Sequence, residues 1–228
     1  MCGRFCLDST GQTLQRIFRA DGGDEIVPRY NIAPGQQAPV VLQDRKGPRS
    51  IRMHKWGLVP RWAKDAKIGH RMINARAETV AEKPSFRQPL KSGRCLVPTT
   101  GFYEWQAIDG AKQPWLFHLD RSETVFAFAG LHERWSSPDG EVLDTFTIIT
   151  TEANEQVRPF HHRMPVILPE MTWHAWLSPA PVNRVEPLVQ LLQPWSGRTP
   201  ISANRVSTRV NDPRFDQPEC LVPLQEES

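Results

Sequence analysis

Short apolar or alternating segments recur along the chain, each closed off by glycine, proline or aspartate: Ile51–Trp56, Cys95–Val97, Phe102–Trp105, Trp115–Leu119, Val125–Ala129, Thr145–Thr150 and Pro165–Leu168. Segments of this length, bounded by turn formers, predict strands. Between Trp105 and Trp115, Asp109-Gly110 predicts the turn of a hairpin. Capping and proline signals predict helices over Thr10–Phe18 after a Ser9 cap, Glu152–Val157, Glu170–Leu177 opened by Pro169, and Val185–Leu192. Strands outnumber helices and seldom alternate with them. That predicts an α+β fold with a predominantly antiparallel β core, curled or barrel-like, and a few peripheral helices. No repeat or low-complexity tract interrupts the pattern. Ser178–Val182 is the expected loop excursion, and residues 1–228 are expected to form one domain with a short polar tail from about residue 225.

Composition adds little to the fold but narrows the function. The 228 residues, 39% hydrophobic and 23% charged, suit one large core rather than disorder. A net charge of +3 permits a polyanionic partner without demanding one, so an anion site must be a local cluster of arginines. No apolar run is long enough to span a membrane, and MCGRFCLDST has neither the charged nor the apolar region of a signal peptide. The expected compartment is the cytoplasm, at the nucleoid in a bacterium, or the nucleus in a eukaryote. There Cys2, Cys6, Cys95 and Cys220 are expected as free thiols.

The start of the chain carries the most specific chemistry. Methionine aminopeptidase removes Met1 when the second residue is small, and the new terminus would be a 1,2-aminothiol on Cys2. An α-amine titrates near 7.7–8.0 and a lysine near 10.4, so at pH 7.4 roughly a third of the α-amine is neutral against about one lysine in a thousand. The neutral amine condenses with an aldehyde to a Schiff base, and the thiol on the same residue can then close a five-membered thiazolidine. That closure is intramolecular and entropically favoured. A Met-Cys start by itself signals nothing. Cys2-x3-Cys6 with His161-His162 could be read as a zinc site, but no CxxC knuckle accompanies it, and neither metal nor cofactor is expected.

Further motifs give Cys2 a context. MCGRF, YNIAPGQ (Tyr30–Gln36), WGLVPRWAKD (Trp56–Asp65), INARAET (Ile73–Thr79), FYEW (Phe102–Trp105), FAGLHERW (Phe128–Trp135), TIITTEAN (Thr147–Asn154), HHRMPVIL (His161–Leu168) and VSTRVNDPRFD (Val206–Asp216) follow one another in order. Together they resemble the SRAP family, named for "SOS-response-associated peptidase", whose members shield abasic sites. The resemblance implies an SRAP-type fold and capture of the ring-opened sugar of an abasic site by Cys2. It implies that Asn74 positions the Cys2 amine and the sugar, that Glu104 lies beside the adduct, and that His161 is the family histidine. In place of the usual acidic residue after that histidine stands His162, so the assignment to His161 rests on its spacing to Arg163.

These roles are chemically coherent. Sugar opening and loss of water from the carbinolamine need an acid near neutrality, which Glu104 supplies if burial beside Phe102, Tyr103 and Trp105 raises its pKa. Read without the resemblance, Glu104 is an outward residue on a hairpin strand. His161 suits proton transfer or phosphate contact. Acting on the carbon next to the imine, it would cut the strand by β-elimination, giving weak lyase activity in competition with ring closure.

The expected DNA contacts are Arg4 and Arg76, within the Cys2 and Asn74 motifs, then Arg163 and Arg209. Trp62, on a basic segment, is expected to stack an unpaired base, while Asn31 and Pro34 shape the wall of the site. A terminal residue can meet the sugar carbon only if the lesion is splayed out of the stack, which favours single-stranded DNA. A role at abasic sites would add replication-fork proteins as partners, with the protein a monomer. Two other readings stay open: a thiol peptidase built on Cys2, and a non-catalytic single-strand-binding module.

Overall fold

The computed structural model describes residues 2–44, 47–108, 110–120, 125–179 and 184–225. In chain order the strands are β1 (Phe5–Leu7), β2 (Ala20–Asp21), β3 (Arg29–Ile32), β4 (Gln37–Gln43), β5 (Arg49–Trp56), β6 (Asn74–Arg76), β7 (Arg94–Thr99), β8 (Gly101–Ile108), β9 (Ala111–Leu119), β10 (Phe126–Ser136), β11 (Val142–Glu152), β12 (Arg163–Pro165) and β13 (Ile201–Arg205). The helices are α1 (Gly11–Phe18), α2 (Pro84–Ser92), α3 (Trp173–Leu177) and α4 (Glu186–Val189), with short 3₁₀ turns such as Ala66–Arg71 and Thr208–Asn211.

The strands form two sheets. In the larger, β11, β10, β7, β4 and β5 lie side by side, and β5 pairs back onto β11 in parallel through Thr145↔Lys55 and Phe146↔Trp56. That pairing closes a five-stranded barrel from which β12, β6 and β2 extend. The smaller sheet runs β13-β9-β8-β1-β3 and is antiparallel throughout. This is the α+β, mostly antiparallel and curled architecture that the segment pattern predicts. The interior is continuous across both sheets: Phe5 on β1 meets Trp56 edge-on at 5.2 Å and Phe128 at 6.1 Å.

Gly57 makes the barrel exit possible. It sits at φ +128°, and a Cβ there would come within 2.7 Å of the Gly69 carbonyl oxygen. Only glycine lets the chain leave β5 against the 3₁₀ turn that precedes β6.

The expected helix over Glu152–Val157 is absent. Glu152 ends β11, and the Asn154 side chain accepts the Val157 N–H at 3.1 Å, folding the segment into turns that lead to His161. Three other expected helices are present but shorter. The first begins at Gly11 with Thr10 at its cap; Glu170–Thr172 is 3₁₀ ahead of α3; the last is only Glu186–Val189. The strand expected at Pro165–Leu168 is shifted to Arg163–Pro165, with Ile167 making an isolated bridge to Phe128. Helix α2 is unpredicted, having Pro84 in its first turn and Pro89 inside it. Asp109 of the expected hairpin turn, part of the Ser178–Val182 loop and most of the polar tail lie outside the described residues. The flanking residues Ile108 and Ala111 pair across β8 and β9.

Candidate active site

Cys2 lies just ahead of β1, and the strand register dictates what it meets. Phe5 pairs with Phe102, and the Tyr103 N–H donates to the Arg4 carbonyl at 3.0 Å. Carried towards the amino terminus, the same antiparallel register runs the Gly3–Cys2 segment alongside Glu104 and Trp105. The Asn74 amide reaches Cys2 from the other sheet. Strand β6 pairs in parallel with β11 at Ile148↔Asn74, and Asn74 Nδ2 donates to the Cys2 carbonyl oxygen at 2.8 Å. Asn74 Oδ1 is buried and has no hydrogen-bond partner among the described residues.

Cys2 is fully buried. Burial raises its thiol pKa far above the ordinary value, and the nearby charge of Glu104 raises it further. The thiol is therefore protonated at neutral pH. Glu104, on β8, is only 3% exposed, and burial pushes its carboxyl up to about 7 against an opposing effect of His162. A carboxyl poised there can both give and take a proton near neutrality. Cross-strand from Glu104 stands Trp115, whose Nε1 is buried without a hydrogen-bond partner among the described residues and whose ring packs on Phe160 at 4.8 Å.

His161 follows that phenylalanine. Its ring stacks on His162 at 4.4 Å and 27°. Its Nδ1 lies 2.9 Å from the Arg163 backbone nitrogen, which donates to it, and 3.1 Å from the Arg163 carbonyl oxygen. Burial lowers the pKa of His161, and the charge of His161 is the largest cause lowering exposed His162. The Met1 end of the chain lies outside the described residues.

The expected DNA-contacting residues divide into two groups. Arg76 is exposed at the end of β6 and close enough to His162 for its charge to be felt there. Trp62 is 59% exposed on a loop pinned by Arg61 to Glu133 at 2.6 Å and by Trp135 Nε1 to the Ala63 carbonyl at 2.7 Å. Arg209 is exposed and lies over the Phe215 ring at 3.7 Å. Pro34 is half-buried.

The second group is committed to the protein. Arg4 donates to Asn31 Oδ1 at 2.7 Å and the Val210 carbonyl at 2.8 Å, with its guanidinium 5.7 Å from the Trp105 ring centre. Asn31, fully buried, donates from Nδ2 to the carbonyls of Val210, Asp212 and Phe215. These two residues fasten the carboxy-terminal segment beside the start of the chain. Arg163, 8% exposed, holds the Glu78 carboxylate bidentately at 2.7 and 2.9 Å. Glu78 was not singled out by sequence reasoning; its only signal is its place in INARAET, two residues after Arg76.

Among the described residues no group of three histidine, cysteine or acidic side chains could hold a metal, and no helix is long and apolar enough to cross a membrane. Cys6 is turned to the Gly101 carbonyl in a separate apolar cluster with Tyr103 and Cys220.

The chain belongs to the SRAP family: the family model described as "SOS response associated peptidase (SRAP)" matches residues 1–213. Among its relatives, Abasic site processing protein YoqW of Bacillus subtilis is 44% identical over 227 residues, covering 97% of this chain and 99% of that protein. Abasic site processing protein HMCES of Gallus gallus is 36% identical, covering 87% and 67% respectively. The crystal structure of a protein from Bacteroides thetaiotaomicron superposes with a TM-score of 0.86 at 25% identity, over 98% of this chain and 100% of that one.

Proposed function

We propose that the protein processes abasic sites, as its named relatives do, by capturing the ring-opened sugar covalently in single-stranded DNA. The observation that carries the reading is the seat of Cys2, whose carbonyl is held by Asn74 while its thiol lies in the field of a carboxyl that titrates near neutrality.

With Met1 removed, the neutral amine of Cys2 adds to the aldehyde carbon to give a carbinolamine. Glu104 in its acid form protonates the hydroxyl, one water leaves, and a Schiff base results. The nitrogen of that Schiff base still carries its proton, so the carboxylate so produced takes the proton of the Cys2 thiol as sulfur bonds to the imine carbon and the C=N electron pair settles on nitrogen. The product is a thiazolidine, and Glu104 ends protonated as it began. The vacant Oδ1 of Asn74 suits an N–H of the free amine, orienting its lone pair. In a competing step, His161 removes a proton from the carbon next to the imine, the 3′ phosphate departs and the strand is cut. Ring closure outpaces this, so lyase activity is weak.

Arg76, Trp62 and Arg209 are the exposed residues suited to DNA, through phosphate contact and base stacking. Arg4, Asn31 and Pro34 shape the wall.

Two proteins test the reading: one with Cys2→Ser, and one with the α-amine acetylated and the thiol intact. The serine protein should give a Schiff base trapped only by borohydride, and the acetylated one no adduct at all. A thiol peptidase would keep its nucleophile after acetylation, and a simple binding module would give no adduct in any form.

A further inference from the structure

We propose that the open end of the barrel binds a phosphoryl group, as free phosphate or as a phosphomonoester, with His54 and His132 as the floor and Arg52, Arg61 and Arg134 as the rim. None of Cys2, Asn74, Glu104 and His161 lines this cavity, and the proposal does not rest on the chemistry assigned to them.

The pocket follows from the alternation of the strands. Residues two apart share a face, so Arg52, His54 and Trp56 lie in one row along β5. Trp56 belongs to the barrel interior, where its ring stacks on Phe146 at 6.2 Å. Moving outwards, the row changes from indole to imidazole to guanidinium. Across β10 and β11, His132 pairs with Phe146 and Arg134 with Asp144, so these strands carry a similar row on the same face. The two imidazoles meet with ring centres 5.5 Å apart beside a cavity of about 130 Å³. Main chain rather than a side chain closes the wall at the end of α2. There the His132 N–H donates to the Gly93 carbonyl at 2.7 Å, and a Cβ on Gly93 would come within 2.4 Å of the His132 carbonyl oxygen.

His54 is 2% exposed, and its Nδ1 is buried with no hydrogen-bond partner among the described residues. A buried polar nitrogen left unpaired is costly, and here it borders a cavity with room for a ligand. The charge around the cavity selects an anion. Its two carboxylates are already answered, Glu133 by Arg61 at 2.6 Å and Asp144 by Nε and Nη2 of Arg134 at 2.8 and 2.7 Å. Arg52 is the surplus cation. Its Nη2 alone meets Asp44, at 3.1 Å, and both side chains are about half exposed. A pair so exposed is weak, which leaves the guanidinium able to turn to a stronger partner. A tetrahedral oxyanion matches guanidinium forks in geometry. At neutral pH both imidazoles are uncharged, since burial lowers each to about 4. Arg52 lowers both further, Arg134 lowers His54, and His54 and Arg61 lower His132, against the opposing charge of Asp144. A bound anion tips that balance towards the charged imidazoles and raises both midpoints.

The test is an NMR titration of the His54 and His132 rings with inorganic phosphate, in the full-length protein at pH 6 and at an ionic strength held constant with chloride. The resonances are assigned by their loss in His54→Phe and His132→Phe. The shifts should saturate at millimolar phosphate or below, and saturating phosphate should raise both midpoints by about one pH unit. Arg52→Ala should weaken binding about tenfold. Thymidine 5′-phosphate and thymidine, read at the same two rings, separate the sources. Movement with the nucleotide and not the nucleoside assigns the pocket to phosphomonoesters as well, and movement with neither assigns it to free phosphate. Movement with thymidine itself would contradict recognition of a phosphoryl group. Shifts that grow without saturating, or that are the same in Arg52→Ala, would mean an adventitious ion only and would overturn the proposal. If a histidine variant does not fold, Arg52→Ala, changed at the exposed rim, decides by the same criterion.

Discussion

The side-chain amide of Asn74 donates to the carbonyl oxygen of Cys2 at 2.8 Å, while its own oxygen is buried with no partner among the described residues. The two residues come from different sheets, one from the strand added to the edge of β11 and the other from the segment that enters β1. A buried acceptor without a donor is costly, and a free amine on Cys2 would supply one. Asn74→Ala should slow adduct formation about tenfold or more, since a hydrogen bond of about 1–3 kcal/mol in the transition state is at stake. Single-turnover rates on an abasic oligonucleotide check this, and an unchanged rate would remove Asn74 from the chemistry.

In the proposed reaction Glu104 links activity to stability. Its folded carboxyl titrates near 7 rather than at the ordinary 4.5, because it is buried. Below 4.5 both folded and unfolded forms are protonated and the residue imposes no cost. The cost appears as pH rises above 4.5 and is complete above about 7, where it reaches about 3 kcal/mol. Glu104→Gln should therefore stabilise the fold at pH 8 and much less at pH 5, while slowing the adduct reaction at both. Urea unfolding at the two pH values measures the first effect. Equal stabilisation at both would contradict the burial account.

Adduct formation should also follow a bell-shaped pH profile. Its alkaline limb, near pH 7, belongs to loss of the Glu104 proton, and its acid limb to protonation of the Cys2 amine. In Glu104→Gln the alkaline limb should vanish from the slower rate.

A second titrating feature lies at one end of the barrel. His54 on β5 and His132 on β10 have ring centres 5.5 Å apart, beside a cavity of about 130 Å³, and burial lowers both to about 4. An unfolded histidine accepts its proton near 6.5, so stability is intact above that value and falls as the pH drops towards 4. Thermal midpoints should decline over this window, and His54→Phe should make the decline shallower. A decline of unchanged steepness in that variant would place the acid sensitivity elsewhere.

Trp62→Ala offers a contrast. The ring is 59% exposed on a pinned loop, so its loss should leave the thermal midpoint within about a degree or two. Affinity for single-stranded DNA should fall about fivefold or more, the value of one stacked base. Fluorescence anisotropy with undamaged oligonucleotide gives the number.

The sequence made the strands of the core legible because each is a short apolar run between turn formers, and its motifs singled out Asn74, Glu104 and His161 as candidates. What it hid was long-range. Closure of the barrel depends on two parallel pairs between β5 and β11, about ninety residues apart, and no local signal announces them. Glu152–Val157 continues the polar and apolar pattern of a helix, but the Asn154 side chain takes the Val157 N–H and holds the segment in turns. An arginine in a basic motif has the same signature whether its fork meets phosphate or a carboxylate, and in the fold the Arg163 fork meets Glu78. Partner choice is a property of the fold.

In the proposed reaction the Cys2 amine and thiol act together. Intact-mass analysis of the mature protein, before and after incubation with an abasic single-stranded oligonucleotide, tests it most directly. The predicted result is a chain lacking Met1 that gains the mass of the oligonucleotide less one water and keeps it on heating. A protein that retains Met1 and still forms the heat-stable adduct would contradict the account, as would one that lacks Met1 and gains no mass.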